Sequence, residues 1–93
     1  MLFEWDENKN QTNQQKHGIS FKEVQTVFMD PHAVLFDDPD HSRDEERFLI
    51  IGMSLEKGIC IVRHYYRGEE DIIRIISARK ATKSEQEIYK EQF

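Results

Sequence analysis

Three β-rich runs in quick succession constrain this chain more than any other feature. Arg47–Ser54, Ile59–Tyr66 and Ile72–Ala78 are separated only by Leu55-Glu56-Lys57-Gly58 and by Arg67-Gly68-Glu69-Glu70-Asp71. Connections of that length suit hairpins, so antiparallel order is expected. A further short strand is expected at Ala33–Phe36, between Pro31 and the acidic loop Asp37–Asp44.

Helices are expected on either side of these strands. Asp6 can cap a first helix running to about His17, closed by Gly18 where a left-handed residue is wanted. Asn8, Asn10, Gln11, Asn13, Gln14 and Gln15 give it little to bury, so it should lie on the surface, anchored by Phe3, Trp5 and Ile19. Ser20-Phe21-Lys22-Glu23 has the form of a capping box, with Ile19 and Val24 as a hydrophobic staple. The helix it predicts starts at Phe21, presents Phe21, Val24, Val27 and Phe28, ends at Asp30-Pro31 and covers the sheet. Thr82-Lys83-Ser84-Glu85 is a second capping box, opening a short helix through Ile88 and Tyr89. At 93 residues the chain has length for one core, so residues 1–93 are expected to form a single domain. The predicted fold class is α+β: a small, mostly antiparallel four-stranded sheet with two N-terminal helices and a C-terminal helix.

Charge and cysteine content narrow the function classes. A net charge of −5 argues against a general nucleic-acid coat, but the charge is unevenly spread. Residues 1–46 carry 4 Lys and Arg against 11 Asp and Glu, a net of −7; residues 47–93 carry 9 against 7, a net of +2. An anion would bind the second half. The single cysteine, Cys60, sits in an apolar run, so it is expected to be a small buried hydrophobe, and a reducing compartment is natural. The start Met1–Asp6 has neither a basic nor a long apolar region, and no apolar run approaches the ~18 residues of a membrane span. A cytoplasmic protein with no membrane partner is expected.

Candidate chemistry gathers on the last strand. Arg74 interrupts the buried-sheet residues Ile72, Ile73, Ile75 and Ile76; it either reaches the sheet edge or pairs with a carboxylate such as Glu46, or it aims its planar fork at phosphate. Arg79 closes the same segment, followed by Lys80 and Lys83. Arg74 and Arg79 are five apart, so in an unbroken strand they face opposite sides and converge only if the chain turns or bulges near Ser77-Ala78. Arg63 and Arg67 share parity on the preceding strand, with Tyr65 between them as a surface for a base or ribose. His17 beside Lys16, and His64 beside Tyr65 and Tyr66, are candidate proton shuttles, against the alternatives of a dipole-favoured cation and a satisfied sheet histidine. His32 carries no signal. His41 lies among Asp37, Asp38, Asp40 and Asp44, but their spacing matches neither a calcium loop nor a zinc site, so no metal and no cofactor is expected. There is no glycine-rich phosphate loop, nucleophile elbow or Cys-His pair.

Several blocks in order carry a resemblance: Phe3-Glu4-Trp5-Asp6, Asn13, Lys16-His17-Gly18-Ile19-Ser20-Phe21, Val27-Phe28, Asp30-Pro31, His41-Ser42, Glu45-Glu46-Arg47, Ile51-Gly52 and Arg74-Ile75-Ile76-Ser77-Ala78-Arg79. Across nearly the whole chain the sequence resembles the BrnT family of bacterial toxins. The resemblance implies a RelE-like ribonuclease toxin that slows translation. It also implies a BrnA-like ribbon-helix-helix antitoxin, whose complex with the toxin binds operator DNA through the antitoxin. Matching the blocks would place function on Lys16, His17, Glu46, Arg47, Arg67, Arg74 and Arg79; the strands and the junction read by themselves add Arg63, Tyr65, Lys80 and Lys83 as expected RNA contacts. The first helix departs from the usual pattern at Asn10, Gln11, Gln14 and Gln15, which bears on where His17 points.

A metal-free endoribonuclease must deprotonate the ribose 2′-hydroxyl, stabilise the phosphorane and protonate the leaving 5′-oxygen. His17 or Glu46 can serve as base, Arg74 and Arg79 as phosphate clamps, and Lys16 or Arg67 as a positioning cation. Two other readings stand beside this one. In the first, the chain is a non-enzymatic protein-binding or co-repressor module acting with a DNA-binding partner. In the second, it is a metal-dependent nuclease using Asp37, Asp40 and His41.

Overall fold

The computed structural model describes residues 1–69 and 71–93. Its elements in chain order are β1 (Leu2–Glu4), α1 (Glu7–His17), a 3₁₀ segment (Gln25–Met29), β2 (Val34–Asp37), a short 3₁₀ turn (Pro39–His41), β3 (Phe48–Ser54), β4 (Gly58–Arg67), β5 (Ile72–Lys80) and α2 (Lys83–Lys90). The strands form one sheet in the order β1-β5-β4-β3-β2. The meander β2 to β5 is antiparallel throughout, as the short connections require, while β1 runs parallel to β5. Of the connection expected at 67–71, Glu70 lies outside the described residues.

The sheet therefore has five strands and is mixed, which corrects the four-stranded expectation. β1 is too short for its alternation to be legible; it is held by pairing Leu2, Phe3 and Glu4 with Ile72, Ile73 and Arg74, and by Leu2 N–H donating to Asp71 C=O at 3.1 Å.

The second N-terminal helix is also corrected. The Ser20–Glu23 capping box forms, with Ser20 N to Glu23 Oε1 at 2.8 Å and Glu23 N to Ser20 Oγ at 3.2 Å, but it opens a turn followed by 3₁₀ helix. The backbone bonds Val24 to Phe21, Gln25 to Lys22 and Val27 to Val24 all span three residues. Phe21, Val24 and Val27 recur every three positions, which stacks them in one line on a three-residue turn, whereas on an α-helix the same spacing covers an arc of about 120°. All three are fully buried. The segment lies close on β3 because Gly52 has no side chain: a Cβ there would meet Val27 Cγ1 at 2.9 Å and Val27 O at 3.2 Å.

One sheet face carries Ile50, Cys60, Val62, Ile73, Ile75 and Ala78 against Ile19, Phe21, Val24 and Val27, with Phe3, Trp5 and Phe28 around them. The opposite face is covered only in part, where Ile51 and Ile61 meet Ala81 and Tyr89 at the α2 end. Both capping residues of α2 work: Thr82 Oγ1 accepts from Glu85 N while Glu85 accepts from Thr82 N. No helix among the described residues is long and apolar enough to cross a membrane.

The polar first helix is explained by what its asparagines do. Asp6 and Gly18 cap it as expected, but Asn10 and Asn13 are buried. Asn10 Oδ1 accepts from Phe21 N at 2.9 Å. Asn13 Nδ2 donates to Ile19 O at 2.9 Å and its Oδ1 accepts from Ala78 N at 3.0 Å, on the edge of β5 beyond the last residue paired with β1. The helix thus closes a strand edge with the Asn13 amide, and holds the following turn with Asn10, instead of burying an apolar stripe. Asn13→Ala leaves a buried donor and a buried acceptor without partners, and is expected to lower stability by about 2 kcal/mol, read from the denaturant midpoint.

Candidate functional site: a basic cleft on the open sheet face

The site is organised by a β-bulge. On β4 and β5, Arg63 pairs with Ser77 and His64 with Ile75, so Ile76 is an extra residue on β5. Tyr65 pairs with Arg74 and Ile61 with Arg79. Because Tyr65 and Ile61 lie four apart on an unbroken strand, Arg74 and Arg79 face the same side in spite of their odd separation. The buried residues agree, since Ile73, Ile75 and Ala78 join one core cluster on the other face. The bulge lies within a residue or two of the Ser77-Ala78 position where the spacing asked for it.

The open face then carries Arg63, Tyr65 and Arg67 along β4, Arg74, Ser77 and Arg79 along β5, and Glu4 on β1. At its α2 end, Lys16, His17, Arg63, Ser77 and Arg79 line one cleft of about 340 Å³ with Leu49 and Ile61. α1 delivers Lys16 and His17, both exposed, in its last turn, and Gly18 at φ 67° ends the helix there with its N–H on Gln14 C=O.

Each arginine of the cleft is aimed by a carboxylate. Arg63 Nε donates to Asp38 Oδ2 at 2.6 Å and its Nη1 to Ser77 Oγ at 3.2 Å; the described contacts leave its Nη2 without a protein acceptor. Burial raises the Asp38 carboxyl, but hydrogen bonds from Arg63 and His41 outweigh it and hold the group below its ordinary value. Arg79 makes a two-pronged pair with Glu85, Nη1 to Oε1 at 2.7 Å and Nη2 to Oε2 at 3.0 Å. Those bonds, against the opposing effect of burial and with help from Thr82 N–H, bring Glu85 down to about 2. Glu85 therefore ties the guanidinium to the first turn of α2.

The remaining candidates lie elsewhere. Arg67 and Arg74 are on the same face but away from the cleft, both turned to Glu4 Oε1, at 2.7 and 3.4 Å; the carboxylate partner of Arg74 is Glu4, not Glu46. Exposed Glu46 lines a recess with Phe48, Tyr66 and Glu69, and Arg47 pairs with Glu45 at 3.0 Å beside the His41 loop. Lys80 pairs with Cys60 and so faces away from Arg79, while Lys83 is exposed at the start of α2. Tyr65 stands between Arg63 and Arg67 as the parity implied. His64 is fully buried: Nδ1 donates to Val62 C=O at 3.1 Å, and Nε2 meets Tyr66 Oη at 3.2 Å. Burial, partly offset by the Val62 bond, brings it down to about 4, so it is a neutral core histidine. Among the described residues, no three His, Cys, Asp or Glu side chains, those of Asp37, Asp40 and His41 included, are grouped to hold a metal ion.

Sequence reasoning missed Asp38, Glu85, Ser77 and Glu4 as positioning groups. Only Ser77 carried a signal, as the one polar residue between Ile76 and Ala78 in the arginine-flanked block.

The comparisons place this scaffold in the class of toxins from type II toxin–antitoxin systems. Residues 5–85 match the family model described as ribonuclease toxin, BrnT, of type II toxin–antitoxin system, and the chain belongs to the BrnT family. The crystal structure of the Brucella abortus ribonuclease toxin BrnT, at 1.1 Å resolution, is similar, with a TM-score of 0.70 and 28% identity over 89% of this chain and 100% of that one. Comparison with curated proteins gives no match.

Proposed function

We propose that the chain is a RelE-like toxin that cleaves RNA without a metal and thereby inhibits translation. The observation that carries the proposal is the cleft that gathers an exposed imidazole, an exposed ammonium and two carboxylate-aimed guanidinium groups. His17 removes the ribose 2′-proton, and O2′ attacks the adjacent phosphorus. The P–O5′ bond breaks as the leaving 5′-oxygen takes a proton, from Lys16 or from a water, giving a 2′,3′-cyclic phosphate and a 5′-hydroxyl. Arg63 and Arg79 stabilise the charge that builds on the phosphorane oxygens, a role suited to fixed donors in a partly dry site. Arg67, Arg74 and Tyr65 extend the contact surface along β4 and β5; Glu46, Arg47, Lys80 and Lys83 would act on flanking RNA.

In this proposal a BrnA-like ribbon-helix-helix antitoxin neutralises the toxin, and the pair binds operator DNA through the antitoxin. Induction of the chain alone in a bacterial host is expected to arrest growth, and co-expression of the neighbouring reading frame to restore it. Unimpeded growth with soluble protein present in the cells supports instead the non-enzymatic co-repressor module.

A further inference from the structure

Beyond the cleft, the open face holds a second pair of arginines whose carboxylate partner is poorly bonded. Glu4 Oε1 is buried at 2.7 Å from Arg67 Nη1 and 3.4 Å from Arg74 Nη1, yet it makes no hydrogen bond of acceptable geometry. The charges are close while the directional bonds a guanidinium fork can offer stay unused. That contrasts with Glu85, which fills both prongs of Arg79. A phosphate, with several oxygens able to take two prongs at once, is the better partner for such a pair. Glu4 is also well placed to give way, because it ends a three-residue edge strand.

The position of this pair relative to the cleft is set by the ladder. Arg63 and Arg67 are four residues apart on β4, so their Cα atoms lie about 13 Å from one another, with Tyr65 on the same face midway. Arg74 flanks Tyr65 across the strand pair as Ser77 flanks Arg63. A phosphate at Arg63 and Arg79, an unstacked base on Tyr65 and a later phosphate at Arg67 and Arg74 follow one line across the sheet. A flat aromatic between two cations recognises unpaired bases and is closed to a stacked duplex.

We propose that Arg67 and Arg74 form a second phosphate subsite for single-stranded RNA, and that the Glu4 carboxylate occupies it until RNA displaces it. Glu4 then acts as a built-in competitor that selects for strands long enough to reach both subsites. The proposal rests on the assignment of RNA as substrate, and it is tested by binding instead of cleavage so that the two can fail separately.

The probes are a 2′-O-methyl hexanucleotide and a 2′-O-methyl dinucleotide, neither able to undergo 2′-attack, followed by fluorescence anisotropy. Glu4→Gln is expected to bind the hexanucleotide about fivefold tighter, the effect of removing one partly exposed ion-pair competitor, and to leave the dinucleotide unchanged. Arg67→Ser with Arg74→Ser is expected to abolish that gain and to flatten the salt dependence of hexanucleotide binding by about one unit of slope. Glu4→Asp keeps the charge, draws it back by one methylene and is expected to give a smaller gain, which covers the case in which Glu4→Gln folds poorly. Hexanucleotide binding that neither Glu4 variant tightens, or tightening of the dinucleotide to the same degree, overturns the subsite and leaves the RNA assignment standing. No binding of either probe to the parent chain at low salt overturns both.

Discussion

Arg79→Ala is expected to cleave RNA ~10²- to 10³-fold more slowly than the parent chain, the loss typical of removing one fixed donor from a developing oxyanion. Arg79 belongs to the cleft, and its orientation is fixed by Glu85 before any substrate arrives. The competing explanation, that the variant merely unfolds, is weak on magnitude. The Arg79 side chain is 43% exposed, so after solvent screening its pair with Glu85 contributes no more than about 1 kcal/mol to stability. A melting temperature within a few degrees of the parent, together with lost cleavage, is the expected pair of results. Arg79→Lys keeps the charge but not the two-pronged geometry and is expected to recover only part of the rate. Excess chelator is expected to leave the parent rate unchanged. An Arg79→Ala variant that cuts RNA as fast as the parent removes Arg79 from the mechanism.

Mild acid is expected to destabilise the fold before its carboxylates respond. His64 takes up its proton near 4 in the folded chain, and at its ordinary value of 6.5 once unfolded. The folded-state value is the lower one, so the unfolded chain binds the proton first as pH falls. The stability contributed by neutral His64 is complete above about 6.5, declines between 6.5 and 4, and levels off below 4. Two and a half pKa units amount to about 3 kcal/mol, a large share of what a domain this size has to lose. Asp38, Asp30, Glu23 and Glu85 are all held below their ordinary values, so they lose stability only at lower pH, as their own protons go on. The difference between the parent and a variant lacking the imidazole of His64, followed from pH 6.5 to 4.5, therefore reports on His64. Urea midpoints across that interval are expected to fall for the parent and to stay nearly level for His64→Phe. Parallel slopes for the two proteins count against the assignment.

The parts of this molecule that were legible in its sequence are those fixed by local chemistry. Asp6, Gly18 and the Thr82–Glu85 box set helix ends through bonds made within four residues, and the short connections set the meander. What was not legible depends on partners distant in the chain. Asn13 reads as a surface residue because its amide serves Ala78, 65 positions away. Leu2–Glu4 is a strand only because β5 offers it an edge. The spacing of Phe21, Val24, Val27 and Phe28 fits one face of an α-helix, and the capping box ahead of it favoured that helix over the 3₁₀ segment that forms.

The site divides the same way. Parity alone raised the need for a bulge near Ser77, and the register contains one at Ile76. Which of the crowded acids Asp37, Asp38, Asp40 and Asp44 would aim Arg63 had no local signature; Asp38 is chosen because the turn Pro39–His41 and the bond from Asp38 N to Arg47 C=O fold it inward.

The extra residue at Ile76 also sets which changes of length the central strands can absorb as lineages diverge. A chain that lost Ile76 would keep Arg74 and Arg79 on the open face, now four apart in a regular strand. A chain that lost Tyr65 from β4 would turn Arg67 into the core while leaving Arg63 outside. Insertions and deletions in this sheet therefore have one inexpensive rung, and the number of residues between the two arginines of a relative would reveal whether its strand is bulged or straight.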